Sequence, residues 1–382
     1  MGKDGTVMSA EQSLAEKYGL LACIQCGKCS AGCPVSLKGP LNIRKIVGKV
    51  AVDSDLGPIY QQPELWDCTT CSVCTLRCPR GLEPHQLIVS LRSALVDSGN
   101  VPVTVRDALE ATFKQGNPYG QPRSQRSQWT GNLTIKDFSR GAKAEMLYFV
   151  CCAAAYDPRV QEAARAQAQV LSRAGVDFGI LGNEENCCGN EIRRMGEVGL
   201  GDMLKQKNID LFSKYGITRI VTASPHCYNT LKNEYQDARL HISHYTQLFA
   251  ELIKGKKPTL SHETRRRVAY HDPCFLGKQN HVFDEPRLVL GAIPGVTLVE
   301  FDRSRERSLC CEGGGGRMWV DTTDSVERLG VIRVKEALAL GVDVVATACP
   351  FCLLNIRDAV KTLGVEERLQ VMDIAEMVLA AL

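Results

Sequence analysis

Residues 23–34 read CIQCGKCSAGCP and residues 68–79 read CTTCSVCTLRCP. Both follow the pattern C-x2-C-x2-C-x3-C-P, with Cys23, Cys26, Cys29 and Cys33 in the first run and Cys68, Cys71, Cys74 and Cys78 in the second. Thiolates at this spacing hold cubane [4Fe-4S] clusters, and in a two-cluster domain the fourth Cys of each run crosses to the other cluster. The expected ligand sets are therefore Cys23, Cys26, Cys29 and Cys78 for one cluster, and Cys68, Cys71, Cys74 and Cys33 for the other. Zinc fits less well, because ribbons and fingers use two Cys pairs around a loop, often with His. Disulfides are the other competitor for the 18 cysteines. The chain is long enough to bury its own core, and its polar start, MGKDGTVMSAEQ, holds no apolar secretory segment, so a reducing cytoplasm is the expected setting.

Outward from these runs, LNIRKIVGKVAV and PHQLIVSLRSALVDSG carry apolar residues at helical spacing, so residues 1–100 read as a helical ferredoxin-like domain. Residues 101–143 turn to Gly, Pro, Gln, Ser and Arg and read as a linker with some structure. Its basic patch around Arg123 and Arg126 is expected to be solvated or to dock a partner or an anionic substrate. A formal charge of +3 with scattered Lys and Arg argues against nucleic acid. No stretch approaches the roughly 18 to 20 apolar residues that span a bilayer, so membrane contact is expected only through a partner.

Beyond residue 143 the chain repeats itself. GITRIVTASPHC (216–227) matches GVDVVATACPFC (341–352), Tyr148–Cys152 parallels Tyr270–Cys274, and Cys187-Cys188 parallels Cys310-Cys311. Each copy, 144–260 and 261–382, alternates short apolar strands with helices, which implies a parallel sheet covered on both faces. Ligands gather at the carboxyl ends of such strands. That is where Cys152 and Cys227 fall in the first copy and Cys274, Cys349 and Cys352 in the second. The second copy thus offers five thiols, Cys274, Cys310, Cys311, Cys349 and Cys352, one more than a cubane or a tetrahedral zinc takes.

The lone Cys, the Cys-Cys pair and the Cys-Pro-x-Cys of YHDPCFLGKQNHVFDEPR, CCEGGGGRMW and ATACPFC resemble the cysteine-rich CCG domain of heterodisulfide reductases, and the whole chain resembles their D-type subunit. The resemblance implies a multidomain fold, an α-helical dicluster ferredoxin domain before two α/β CCG domains. It also implies a noncubane [4Fe-4S] cluster on the five second-copy cysteines, where a disulfide is cleaved on iron. Two departures stand out. Glu312 occupies the place of the family Gly, with Gly313 to Gly316 following at once to let peptide approach a cluster. Ser224 replaces the counterpart of Cys349, leaving Cys152, Cys187, Cys188 and Cys227 with Cys151 beside them. That copy is open to a different cluster, to zinc or to neither, with Cys151 or His226 as the completing ligand. His271 reads either as a donor to a cluster sulfur or substrate, or simply as a backbone-bonded histidine. No flavin or nicotinamide motif is present, so the two-electron partner is expected on another chain, a flavoprotein or iron-sulfur subunit. Two functions follow: an oxidoreductase subunit that reduces a disulfide at the second CCG domain, or an electron relay beside a flavin-containing, bifurcating or acyl-CoA-reducing complex.

Overall fold

A computed structural model describes residues 10–53, 55–320 and 327–382. Between residues 10 and 100 the described chain is helical, with no strand, as expected. In helix Ile43–Val52, Ile43, Ile46, Val47 and Val50 lie on the buried face at spacings of three and four, and the side chain of Asn42 caps the start by accepting from the Lys45 amide at 3.0 Å. Helix Pro84–Asp97 starts on Pro and buries Leu87, Ile88, Leu91 and Leu95 against it. Between the third and fourth cysteines of each run the chain makes one short helical turn, Lys28–Gly32 and Val73–Leu76.

Residues 101–143 depart from the linker expectation. Val105, Ala108, Leu109 and Thr112 line the buried face of a helix, Val103–Gln115, and the segment ends in an edge strand of the first sheet. The Gly, Pro and Ser content marks the turns between these pieces. Arg126 is also corrected. It is 1% exposed and pairs with Glu185 at 2.5 Å, whereas the patch was expected to be solvated or to dock a partner or an anionic substrate. Arg123 reaches Asn186 at 2.7 Å.

The first sheet comprises β1 (Lys136–Asp137), β2 (Met146–Phe149), β3 (Phe178–Ile180), β4 (Arg219–Thr222) and β5 (His241–His244), ordered β1-β3-β2-β4-β5. The second comprises β6 (Arg266–His271), β7 (Val296–Val299), β8 (Val344–Thr347) and β9 (Gln370–Asp373), ordered β7-β6-β8-β9. Every pairing is parallel; β2 and β8 are buried throughout, and β4 and β6 are buried beyond an exposed Arg219 and an exposed Arg266-Arg267 at their starts, as sheets covered on both faces require. Apart from β1 the two sheets share one order, so the sequence repeat is a repeat of fold. In each, the order reverses between the first and third strands of the copy, β2 and β4 or β6 and β8. The crevice outside their carboxyl ends is where such folds hold ligands.

The two copies share one apolar core, reinforced by Tyr245 donating to Asp373 at 2.8 Å and by Arg159 gripping Glu376 at 2.6 and 2.8 Å. A single buried guanidinium joins all three domains. Arg92 donates to the carbonyls of Leu65 and Cys68 in its own domain, of Arg194 in the first copy at 2.9 Å, and of Gly315 in the second at 2.7 Å.

Candidate metal centres

In the helical domain Cys23, Cys26, Cys29 and Cys78 line one surface pocket, with Cys26 exposed and Leu21 and Ile24 exposed beside it. Cys33, Cys68, Cys71 and Cys74 are buried together. Burial pushes the Cys33 thiol up to about 11, with Cys71 adding to the shift; burial likewise pushes Cys68 up to about 12. Cys74 is raised well above the usual range by burial and then by Cys68, Cys71 and Cys33 around it. Four crowded thiols in a dry site ionise only at high cost unless a polynuclear cation takes their charge, so this donor set suits an iron-sulfur cluster. The two groupings are those in which the fourth cysteines exchange partners.

The crevice between β6 and β8 gathers Cys274, Cys310, Cys311, Cys349 and Cys352, all buried. Cys310 is in hydrogen-bond contact with Cys274, Cys311 and Cys71; Cys311 with Cys352; and Cys352 with Cys349. Donation from Cys310 and Cys352 draws the Cys311 thiol well below its ordinary range. The amides of Glu312 and Gly313 point at the sulfurs of Cys310 and Cys311 at 3.3 and 3.4 Å, the kind of peptide contact that stabilises negative sulfur. His271 is buried with its Nδ1 unpartnered, and one ring nitrogen lies with the Cys311 and Cys352 sulfurs in a group spanning no more than 4.8 Å. A simple backbone-bonded histidine does not describe it.

The glycines after Glu312 pack against the helical domain. A side chain on Gly315, whose φ is +67°, would stand 2.7 Å from the Cys68 carbonyl, so only a glycine lets these two backbones meet. Glu312 itself has φ +72°, beside +86° for Gly189 in the first copy. The glycine of the motif answers a left-handed backbone, which Glu312 adopts at a cost in strain.

In the crevice between β2 and β4, Cys152 touches Cys187, Cys187 touches Cys188, and Cys227 touches both Cys188 and Cys151. Contacts from Cys187 and Cys227 lower the Cys188 thiol to about 6, and its counterpart Cys311 shifts the same way. His226 turns away from this crevice. Its Nδ1 meets Glu191 at 2.7 Å, and its ring lies 4.3 Å from that of Phe275 and in contact with Cys349 of the second copy. Glu191 also accepts the Gly316 amide at 2.6 Å. Arg92, Arg126, Glu185, Glu191 and Lys278 are buried charged residues at these sites; of the five, only Arg126 stands out in the sequence, and there as part of a solvated or docking patch. The signal available was the Glu185-Asn186 pair directly before Cys187.

A model of the 4Fe-4S dicluster domain matches residues 19–82, and a model of the Cysteine-rich domain matches residues 146–232 and 268–357. The D-type subunit of dihydromethanophenazine:CoB–CoM heterodisulfide reductase from Methanosarcina mazei is 33% identical, over 94% of this chain and 93% of its own. The probable iron-sulfur-binding oxidoreductase FadF of Bacillus subtilis is 38% identical over 84% of this chain and 47% of its own. EtfAB:quinone oxidoreductase of Syntrophomonas wolfei is 31% identical over 94% and 58%. The chain thus spans about half to three-fifths of the length of the last two. Two sets of four thiols in a helical 4Fe-4S dicluster domain, followed by two cysteine-rich α/β domains, define the architecture of an iron-sulfur protein. Within that class the chain belongs to the family of the heterodisulfide reductase D-type subunits. Among the described residues no helix is long and apolar enough to cross a membrane.

Proposed function

We propose that this chain is the electron-delivering component of a larger redox complex and that it reduces a disulfide at the second cysteine-rich domain. In this reading Cys23, Cys26, Cys29 and Cys78 hold one cubane cluster, Cys68, Cys71, Cys74 and Cys33 hold another, and Cys274, Cys310, Cys311, Cys349 and Cys352 hold a noncubane one. When bound, such clusters supply one-electron transfer and, at the five-thiol set, an iron open to substrate sulfur. The observation that carries the proposal is the contact between Cys71 of the inner four-thiol set and Cys310 of the five-thiol set. It leaves no intervening side chain between the two ligand sets. At the opposite end exposed Cys26, Leu21 and Ile24 give a flavoprotein or iron-sulfur partner a face on which to dock. Phe275 and Phe351, both buried, flank His226 beside Cys349. Support also comes from the D-type relative of Methanosarcina mazei, which this chain parallels over 93% of its length.

A second reading, a relay without disulfide chemistry, is favoured by the similarity to FadF and to EtfAB:quinone oxidoreductase. Anaerobic EPR of oxidised protein with and without coenzyme M or coenzyme B separates the two. A thiol-dependent paramagnetic signal that disappears in Cys311→Ser supports disulfide reduction. Signals indifferent to both thiols overturn it in favour of the relay.

A further inference from the structure

The first cysteine-rich domain lacks a thiol at Ser224, where the second carries Cys349. Ser224 is buried, and its hydroxyl is used in capping the helix that follows, accepting the His226 amide at 3.3 Å. One residue before Cys152, however, the first copy carries Cys151 where the second has Pro273. A thiol is missing at one strand end and an additional one stands at the neighbouring strand end, across the same crevice.

The backbone at Cys151 is built for this. Its φ of 71° and ψ of 163° lie in a region that side-chain-bearing residues almost never occupy and that persists only where the surroundings enforce it. The enforcing group is Glu185, whose carboxylate accepts the amides of Val150, at 3.2 Å, and of Cys151. Glu185 is in turn held by Arg126 at 2.5 Å, and the same guanidinium reaches the Cys152 sulfur at 3.5 Å. Arg126 and Glu185 are 1% and 2% exposed. The result is a continuous chain of thiol contacts, Cys152 to Cys187 to Cys188 to Cys227 to Cys151. It parallels the chain Cys274 to Cys310 to Cys311 to Cys352 to Cys349 in the second copy. His226, the other candidate to complete the first site, is engaged by Glu191 and by Cys349 instead.

We infer that Cys151 takes the place vacated at Ser224, so that Cys151, Cys152, Cys187, Cys188 and Cys227 hold an iron-sulfur cluster of the first domain's own, with Arg126 set against its thiolate charge. The inference does not depend on what the second domain reduces.

The test is iron, sulfide and zinc analysis with Mössbauer spectroscopy on the full chain purified anaerobically. Cys188→Ser is expected to lose about four iron, one cluster's worth. Cys151→Gly, which suits the left-handed backbone, is expected to lose the same iron and the same spectral component, and Ser224→Ala to lose nothing. The double variant Cys151→Gly with Ser224→Cys is expected to regain the component, since it returns the thiol to the position the second copy uses. Wild-type iron and spectrum in Cys151→Gly would overturn the inference, as would loss of zinc rather than iron in Cys188→Ser, or a double variant that folds without regaining the component. Cys349→Ser, run in parallel, marks the second domain's contribution and keeps a failure there separate.

Discussion

The sulfur of Cys310 lies 3.4 Å from the hydroxyl of Thr69, a residue of the loop between Cys68 and Cys71. The junction between the helical domain and the second cysteine-rich domain therefore runs through a side chain as well as through the contact of Cys71 with Cys310. Once Cys310 is a thiolate, the Thr69 hydroxyl donates to it, and donors to cluster sulfurs raise the reduction potential by stabilising the more negative state. Thr69→Val keeps the shape and removes the donor. A hydrogen bond worth about 1 kcal/mol corresponds to roughly 40 mV for one electron. The expected outcome of an anaerobic redox titration is a second-domain signal shifted to lower potential by about 20–60 mV, with iron content unchanged.

Arg92 is predicted to govern stability across all three domains. Removing its side chain leaves the buried carbonyls of Leu65, Cys68, Arg194 and Gly315 without their donor. Unsatisfied groups of this kind cost about 1–3 kcal/mol each before relaxation. Arg92→Met is expected to lose at least about 3 kcal/mol in urea unfolding of the loaded protein, and to lose domain docking first, seen as faster proteolysis between the helical domain and the rest.

Glu312 offers a substitution in the opposite direction. A residue with a side chain pays about 1–2 kcal/mol to hold the left-handed conformation found here. Its Oε2 is also buried without a hydrogen-bond partner, 3.7 Å from Arg328. Glu312→Gly is expected to stabilise the protein by about 1 kcal/mol, read as a higher midpoint in urea with unchanged iron content.

Asp373 makes stability depend on pH. Burial, followed by the neighbouring charge of Glu376, pushes its carboxyl up to about 7 from the ordinary value of 3.8. A group with a raised folded-state pKa contributes its full share below the unfolded value, and that share is lost as pH rises through the folded one. The loss falls between about pH 4 and pH 7. Tyr245, Gln167 and the Ala375 amide all donate to the same oxygen, Oδ1, which an Asn retains. Asp373→Asn is therefore expected to leave stability at about pH 4 nearly unchanged and to gain more than about 1 kcal/mol over wild type at about pH 8, measured by urea unfolding at the two values.

Much of the molecule was legible as pattern. The two C-x2-C-x2-C-x3-C-P runs carry the dicluster domain because metal geometry dictates ligand spacing within a short loop. The match of 216–227 to 341–352 carries the repeated parallel sheet because strand and helix periods are local properties of the chain. Residues 101–143 were less legible, since turn residues dominated the composition there while Val105, Ala108, Leu109 and Thr112 lay at helical spacing among them. What only the tertiary structure decided is which distant groups meet: His226 of the first copy beside Cys349 of the second, Arg126 buried on Glu185 in place of facing water, and Arg92 bonded to three domains. The physical reason is that spacing within a loop constrains only its own few residues. The burial of a charge or the partner of a thiol depends on surfaces brought together from distant parts of the chain, as Arg92 and Gly315 are across 223 positions.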